Sequence, residues 1–177
     1  IDMNLILKTE RLILRPIKFE DYSDVHQLHS LAEVDEYNTL GIPENEEETI
    51  LHVKNLVHSN QTEQPQAYTF VIESDNQFAG LISLNLGRAK YKNAEIWFKL
   101  HPDFWNKGIA TEALKEIISF GFNSLNLHRI EAGCAVDNIG SYKVLEKVGM
   151  IREAHTRQLL PLKSGWADDY GYAVLLT

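Results

Sequence analysis

The chain has 177 residues, the size of one ordinary domain, and its 44% hydrophobic content is enough to build a core without disulfides or a structural metal. A formal net charge of -8 and the lack of a dense basic block argue against a nucleic-acid partner. We therefore expect a single domain over residues 1–177 that does not bind nucleic acid.

The first half of the chain predicts a strand, two helices and an antiparallel meander. The predicted strand covers Leu7 to Arg15, the helices Asp21 to Leu31 and Glu46 to Ser59, and the meander strands Tyr68 to Glu73, Phe78 to Leu86 and Ala94 to Leu100. The acidic first turn of the second helix matches the helix dipole. Residues 74–77, Ser-Asp-Asn-Gln, have the composition of a hairpin turn.

The second half predicts a helix and strand in alternation, followed by two strands. A helix runs from Ile109 through Ile118, a strand from Arg129 to Val136, a helix from Ser141 to Val148, and strands from Met150 to Leu160 and from Trp166 to Leu176. The first of these helices is a crossover that leads to a neighbouring parallel strand. The sum is a mixed α/β domain.

The single cysteine, Cys134, excludes an internal disulfide and is typical of a reducing compartment. It alternates with Ala132 and Val136, so we interpret it as a small buried hydrophobe and not as a nucleophile. No apolar run reaches the roughly 18 residues of a membrane span, and Ile1 to Asn4 lack the regions of a signal peptide. We expect a cytoplasmic protein without a membrane partner.

The stretch from Leu100 to Ala113 passes from a strand through a glycine-containing loop into an amphipathic helix. Free amides in the first helical turn and the positive end of the helix dipole favour an anion there, and Gly108 lets a diphosphate approach the backbone. An ordinary glycine at the start of a helix is the alternative interpretation. The chain has neither a nucleotide P-loop nor a dinucleotide Gly-x-Gly-x-x-Gly motif.

The loop Trp105-Asn-Lys-Gly-Ile-Ala-Thr-Glu-Ala113 resembles the acetyl-CoA pyrophosphate loop of the GNAT acetyltransferases, Gln/Arg-x-x-Gly-x-Gly/Ala. Tryptophan in the first position is similar to the ribosomal-protein N-acetyltransferase branch, although that branch has glycine where this chain has Asn106. Further segments agree in order and spacing: Thr9 to Pro16, Ala94 to Ile96, Asn138 to Ser141, Glu146 to Gly149 and Asp168 to Tyr172.

The resemblance implies a GNAT fold, with a central, mostly antiparallel mixed sheet of about seven strands and about four flanking helices. Acetyl-CoA would lie between two splayed parallel strands, Ala94 to Leu100 and Arg129 to Val136. The cofactor contacts that it implies are Phe98, Lys99 and Leu100 through backbone groups, Trp105, Asn106, Lys107, Gly108, Ile109, Ala110 and Thr111 at the pyrophosphate, and Asn138 and Ser141 near the pantetheine arm. Asn138 also suits a helix N-cap.

The resemblance also implies catalytic roles. Many relatives place an acidic tyrosine at the position of Leu145, so we expect Ser141 to protonate the leaving thiolate, with a plain helix-surface serine as the alternative. Glu95 is the candidate base for the amine, although strand alternation also allows it to be merely solvated. His26 and His29 share a helix face without carboxylate or cysteine company, so we predict no metal.

The implied reaction is direct transfer of the acetyl group of acetyl-CoA to a primary amine in a ternary complex. A protein N-terminal α-amine is the expected acceptor. A small-molecule acetyltransferase acting on a polyamine, amino sugar or antibiotic and a non-catalytic CoA-binding domain remain open alternatives. An edge strand near the C-terminus favours a homodimer.

Overall fold

Eight strands form one sheet within residues 5–177, the part of the chain that the computed structural model describes. The strands are β1 (Leu7–Lys8), β2 (Leu12–Pro16), β3 (Ala67–Ser74), β4 (Gln77–Leu86), β5 (Asn93–Leu100), β6 (Arg129–Ala135), β7 (Ile151–Leu162) and β8 (Gly165–Leu175). Their order in the sheet is β1-β2-β3-β4-β5-β6-β8-β7, and the β5–β6 pair is parallel. Ile1–Asn4, whose sequence indicated no signal peptide, lie outside the described residues.

Five α-helices flank this sheet in the described part of the chain. They are α1 (Tyr22–His29), α2 (Ala32–Asp35), α3 (Glu46–Gln61), α4 (Ile109–Asn123) and α5 (Ile139–Lys147). The side chains of α1 and α3 share a core with one face of the sheet, whereas α4 and α5 pack on the opposite face. None of the helices in residues 5–177 combines the length and apolar character that a membrane crossing needs.

The GNAT architecture expected from the sequence is confirmed, with two differences in element count. The predicted strand from Leu7 to Arg15 is wrong as one strand, because a turn at Thr9–Arg11 folds it into the β1–β2 hairpin. The Thr9 hydroxyl stabilises that turn by accepting from the Leu12 amide at 3.0 Å. The short helix α2 was not predicted, since four residues carry too little periodicity to stand out.

The β5–β6 pair parts after three residue pairs, the last of which joins Glu95 to Glu131. Beyond that point β5 stays paired with β4 as far as Leu100, and β6 stays paired with β8 as far as Ala135. The predicted splay between two parallel strands is therefore present. It leaves a gap in the middle of the sheet, and the loop that follows β5 lies at one end of it.

Side chains of β5 alternate between the two faces of the sheet. Ala94, Ile96 and Leu100 join the core beneath α4, while Trp97 packs toward the cluster that α1 and α3 share. Glu95 and Lys99 have the same strand parity as Trp97, so they lie on that second face. We call this second face of the sheet, where Glu95, Trp97 and Lys99 border the β5–β6 gap, the acceptor face.

Candidate functional site

The loop between β5 and α4 presents unpaired backbone amides at the start of a helix. Gly108 caps α4 with φ of 76°, a left-handed conformation that glycine adopts without strain. The first helical bond runs from the Glu112 amide to the Gly108 carbonyl at 3.0 Å. In the described chain the amides of residues 106–111 have no backbone acceptor, so with the helix dipole they suit a diphosphate.

A clamp of long-range hydrogen bonds holds this loop against the β1–β2 turn. The Glu112 carboxylate accepts from the Thr9 hydroxyl at 2.6 Å and from the Arg11 guanidinium and amide at 2.9 and 3.1 Å. Arg11 also donates to the Lys107 carbonyl at 2.8 Å. Burial alone would raise the pKa of Glu112, but these bonds outweigh it and lower that pKa. The segment that begins at Thr9 thus holds in place the loop between β5 and α4 together with the first turn of α4, residues 101–112, which we call the cofactor loop.

Trp105 closes the end of β5. Its indole Nε1 donates to the Leu100 carbonyl at 2.9 Å, and its amide donates to Pro102 at 3.0 Å. Lys107 returns from the other side of the loop and donates to the Asp103 carbonyl at 2.7 Å. The tryptophan that replaces the usual Gln or Arg therefore shapes the loop, while the amides from residue 106 onward stay open to an anion.

Asn138 and Ser141 lie together at the start of α5, beside the gap. The Asn138 amide oxygen accepts from the Ser141 amide at 3.2 Å, which confirms the N-cap role and leaves the Asn138 nitrogen for another acceptor. The Ser141 side chain interacts with the Cys134 thiol, whose pKa burial raises to about 11. Cys134 is therefore a buried neutral thiol at pH 7, as expected. Leu145 is fully buried in the core.

Lys99 and Glu95 differ in their surroundings on the acceptor face. The Lys99 ammonium lies 3.4 Å from the His29 imidazole and 5.5 Å from the centre of the Trp97 ring. Burial lowers the pKa of Lys99 to about 8, against the opposing charge of Asp35. Burial and the charge of Lys99 lower the pKa of His29 to about 3, so the imidazole is neutral. Glu95 is exposed at the lip of the gap.

Two carboxylates on this side were missed from the sequence. Asp35 of α2 is buried, and its Oδ1 has no hydrogen-bond partner among residues 5–177. Asp169 of β8 lies half-buried, and burial together with the Glu95 charge raises its pKa to about 6. The Asp168-Asp169 pair was visible as part of a family-like segment, but nothing in its spacing indicated a perturbed carboxylate.

His26 and His101 form local hydrogen bonds within the fold. His26 Nδ1 lies 2.7 Å from the Thr49 hydroxyl, and His101 Nδ1 accepts from the Asp103 amide at 3.2 Å. Over residues 5–177 no group of three or more His, Cys, Asp and Glu side chains is arranged to hold a metal ion. Phe98, Ile109, Ala110 and Thr111 lie along the gap and loop where the cofactor contacts were predicted, and those contacts remain predictions.

Comparison with known proteins gives a consistent picture. A family model described as an acetyltransferase (GNAT) domain matches residues 11–151. An uncharacterized N-acetyltransferase, YnaD of Bacillus subtilis, is 32% identical over 96% of both chains. The spermidine N(1)-acetyltransferase of Escherichia coli K12 is 30% identical over 77% of this chain and 70% of its own. The solved structure of the ribosomal L7/L12 α-N-protein acetyltransferase RimL with coenzyme A superposes with a TM-score of 0.89 over 97% and 98% of the two chains, at 24% identity.

Proposed function

Because the chain belongs to the GNAT acetyltransferase family, whose members transfer an acetyl group from acetyl-CoA to an amine, we propose that its acceptor is a protein N-terminal α-amine. The acetyl group passes directly between the two substrates in a ternary complex. The thioester enters the β5–β6 gap from the side of α4 and α5. The amine approaches from the acceptor face.

The observation that carries this choice is the Lys99 ammonium on the acceptor face. Its charge repels the additional ammonium groups of a polyamine, because the repulsion between like charges in a partly buried site is weakly screened. A peptide has one terminal ammonium, and its following carbonyls can accept from Lys99. The fold-level likeness to RimL over nearly the whole of both chains supports the same acceptor class.

The residues take the following parts in this proposal. Amides of residues 106–111 bind the pyrophosphate, and the free backbone edge of Phe98 to Leu100 binds the thioester carbonyl. The Asn138 side-chain nitrogen donates to the pantetheine arm. Ser141 gives a proton to the departing thiolate, and a carboxylate at the lip of the gap, for which Glu95 is the sequence candidate, takes one from the amine.

An α-amine needs only modest help at neutral pH. Its ordinary pKa of about 8 leaves roughly a tenth of it neutral at pH 7, whereas a lysine near 10.4 is almost fully protonated. A weakly basic carboxylate in contact with water is therefore sufficient for an N-terminus. The same carboxylate would accelerate a lysine side chain or polyamine much less.

A polyamine is the second candidate, and a specific observation favours it. The spermidine N(1)-acetyltransferase of E. coli is 30% identical over 77% of this chain. The carboxylates of Glu95, Asp169 and Asp35 on the same side of the sheet could also pair with ammonium groups. Lys99 distinguishes the two candidates, because its charge repels a polyamine and its ammonium can donate to the carbonyls of a peptide.

A thiol-release assay separates the candidates. The chain is incubated with acetyl-CoA and, in parallel, with short peptides that begin with Ser or Ala, with spermidine and with an aminoglycoside. We expect the highest kcat/KM for a peptide. Lys99→Met should raise kcat/KM for spermidine and lower it for the peptide. A parent that prefers spermidine contradicts the peptide proposal, and a parent that releases no thiol with any of them contradicts catalysis.

We also propose a cytoplasmic homodimer. The single cysteine is buried and unpaired, which suits a reducing compartment. Strand β7 is an edge strand of the sheet, and its Ile151 side chain is 71% exposed. An exposed strand margin with apolar side chains is a natural place for a second copy to pair. Light scattering on Ile151→Lys against the parent tests this, with a monomeric parent as the contrary result.

A further inference from the structure

Asp169 presents a carboxylate on the acceptor face that none of the expected cofactor or catalytic roles uses. It lies on β8 opposite Ala135, and its side chain leans over Gly133 of β6. Its two carboxylate oxygens lie 3.2 and 3.3 Å from the position that a Cβ on Gly133 would occupy. Gly133 is exposed, so the missing side chain leaves an open cradle for the carboxylate. This cradle borders the β5–β6 gap.

Other charges near Asp169 are already paired. Glu131, on the same face of β6, accepts from the Arg129 guanidinium at 2.6 Å. Asp168, the neighbour of Asp169 on β8, lies 2.7 Å from His155 on β7. Glu131 and Asp168 therefore each have a side-chain partner of their own.

Glu95 is the acid that remains to face Asp169. Neither carboxylate forms a hydrogen bond within residues 5–177, and the Glu95 charge acts directly on Asp169. From the remaining strands, β7 contributes the uncharged Thr156 opposite Asp169, and β6 contributes the neutral thiol of Cys134. On β5, Lys99 is engaged with α1. The gap therefore has one half-buried carboxylate with one exposed carboxylate beside it.

We propose that Asp169 accepts the proton that the acceptor ammonium must lose, and that Glu95 is a positioning residue that acts through Asp169. This step rests on the proposed acetyl transfer to an amine. The ammonium gives one proton to the Asp169 carboxylate, which passes it to solvent. The neutral amine then attacks the thioester carbonyl, the C–S bond breaks, and the second amine proton ends on the departing sulfur through Ser141 or water.

The acidity of Asp169 suits this task. Burial and Glu95 raise its pKa from 3.8 to about 6, so it is ionised at pH 7 and can accept a proton. An α-amine has a pKa of about 8, so the transfer is uphill by roughly two pKa units, against four for an ordinary aspartate. Glu95 is exposed, which makes it a source of charge more than a base of its own.

The test compares the pH dependence of kcat/KM for the parent, Asp169→Asn and Glu95→Gln, with acetyl-CoA and a short N-terminal serine peptide, or spermidine if the parent prefers it. The parent should lose activity in acid with a midpoint near 6. Asp169→Asn should lose about 10² to 10⁴ in kcat at all pH values, with the Kd of CoA unchanged. Glu95→Gln should move the acidic midpoint down by roughly half a pH unit and keep kcat within about tenfold at high pH.

Glu131→Gln is the matched control, because Glu131 lies in register with Glu95 but is held by Arg129. Its acidic midpoint should stay at the parent value. If Glu95→Gln loses as much kcat as Asp169→Asn at all pH values, Glu95 is the base and the proposal is overturned. A fully active Asp169→Asn also overturns it and assigns the proton to water.

A titration of the carboxylates by carbon NMR on aspartate-labelled protein gives a readout that needs no turnover. One resonance should titrate near pH 6, vanish in Asp169→Asn and shift to lower pH in Glu95→Gln. A parent that acetylates no amine contradicts the proposed function, and the coupling of Asp169 to Glu95 is then judged on this titration alone. An unshifted resonance in Glu95→Gln overturns that coupling.

Discussion

The cofactor loop and the acceptor face treat their charged groups in opposite ways. In the loop, the Glu112 carboxylate satisfies its oxygens with Thr9 and Arg11, and the bonds lower its pKa. On the acceptor face, Lys99 and Asp169 are partly buried with incomplete compensation, and their pKa values move to about 8 and about 6. The charged group of the first region has its hydrogen-bond partners within the protein, whereas the charged groups of the second region are not fully compensated by the protein.

Under the proposed function, this difference follows from what each region would bind. A diphosphate always brings the same charge, so a rigid set of amides can wait for it without reorganisation. An amine must lose its charge during the reaction, and groups that exchange protons with it need pKa values close to the working pH. Incomplete compensation on the acceptor face keeps its groups in that range.

The largest effect is expected at Ser141, in the first turn of α5. Because Leu145 is buried and cannot donate a proton, Ser141→Ala should lower kcat by about 10² to 10⁴ while the Kd of CoA changes little. Ser119→Ala, at an exposed serine of α4, is the control. Turnover with acetyl-CoA at several pH values makes the measurement, and an unchanged kcat assigns the proton to water, since a thiolate of pKa about 8.5 leaves readily.

The next largest effect is expected from adding a side chain at Gly108 in the cofactor loop. Gly108→Val adds β-branched strain at φ of 76° and brings the added Cβ within 3.2 Å of the Arg11 guanidinium that holds the loop, so the Kd of CoA should rise about tenfold or more. Gly149→Val is the matched control, since Gly149 has φ of 88° and no atom within 4 Å of an added Cβ. Both variants should lose thermal stability alike. Equal CoA affinity in the two would remove the loop from the binding site.

The two regions also differ in how far the sequence predicts them. The loop was visible because its glycine, its helix and its family motif lie within a few consecutive residues. Its clamp was not, since Arg11 and Glu112 are 101 residues apart and only the fold joins them. For the same reason the β1–β2 turn was read as part of one strand.

Asp169 shows more clearly where prediction from the sequence ends. Its raised pKa depends on burial and on the charge of Glu95 from another strand, and its carboxylate lies over the bare backbone of Gly133. Neither neighbour is close in sequence, and an acidic pair in a strand usually indicates only a solvated face. The N-cap contact between Asn138 and Ser141 was predictable because the two residues lie three apart at the start of one helix, whereas their roles toward the cofactor stay predictions.

A smaller effect is expected from opening the clamp. Thr9→Ala removes the hydroxyl that donates to Glu112 at 2.6 Å and also accepts from Leu12, which should cost about 1–2 kcal/mol of unfolding free energy. The Kd of CoA should rise only a few-fold, because Arg11 still holds the loop. Denaturant unfolding and calorimetric CoA binding measure the two effects. Thr62→Ala, on a hydroxyl outside the clamp, controls for loss of a threonine.

The finest test is the pH dependence of stability that Lys99 confers. Its pKa falls from 10.5 to about 8 on folding, so between these values the unfolded chain binds more protons than the folded one. The free energy of unfolding of the parent should therefore rise with pH across this window, relative to Lys99→Met, by about 1–2 kcal/mol. Below pH 8 the lysine is charged in both states and the difference should be constant.

Lys115→Met, at an exposed lysine of α4, is the control and should show no such rise between pH 8 and 10. Urea unfolding at pH 7, 8, 9 and 10 measures the three chains side by side. If the difference in unfolding free energy between the parent and Lys99→Met does not change with pH, the Lys99 ammonium is well solvated. The charged groups of the acceptor face would then be compensated as fully as those of the cofactor loop.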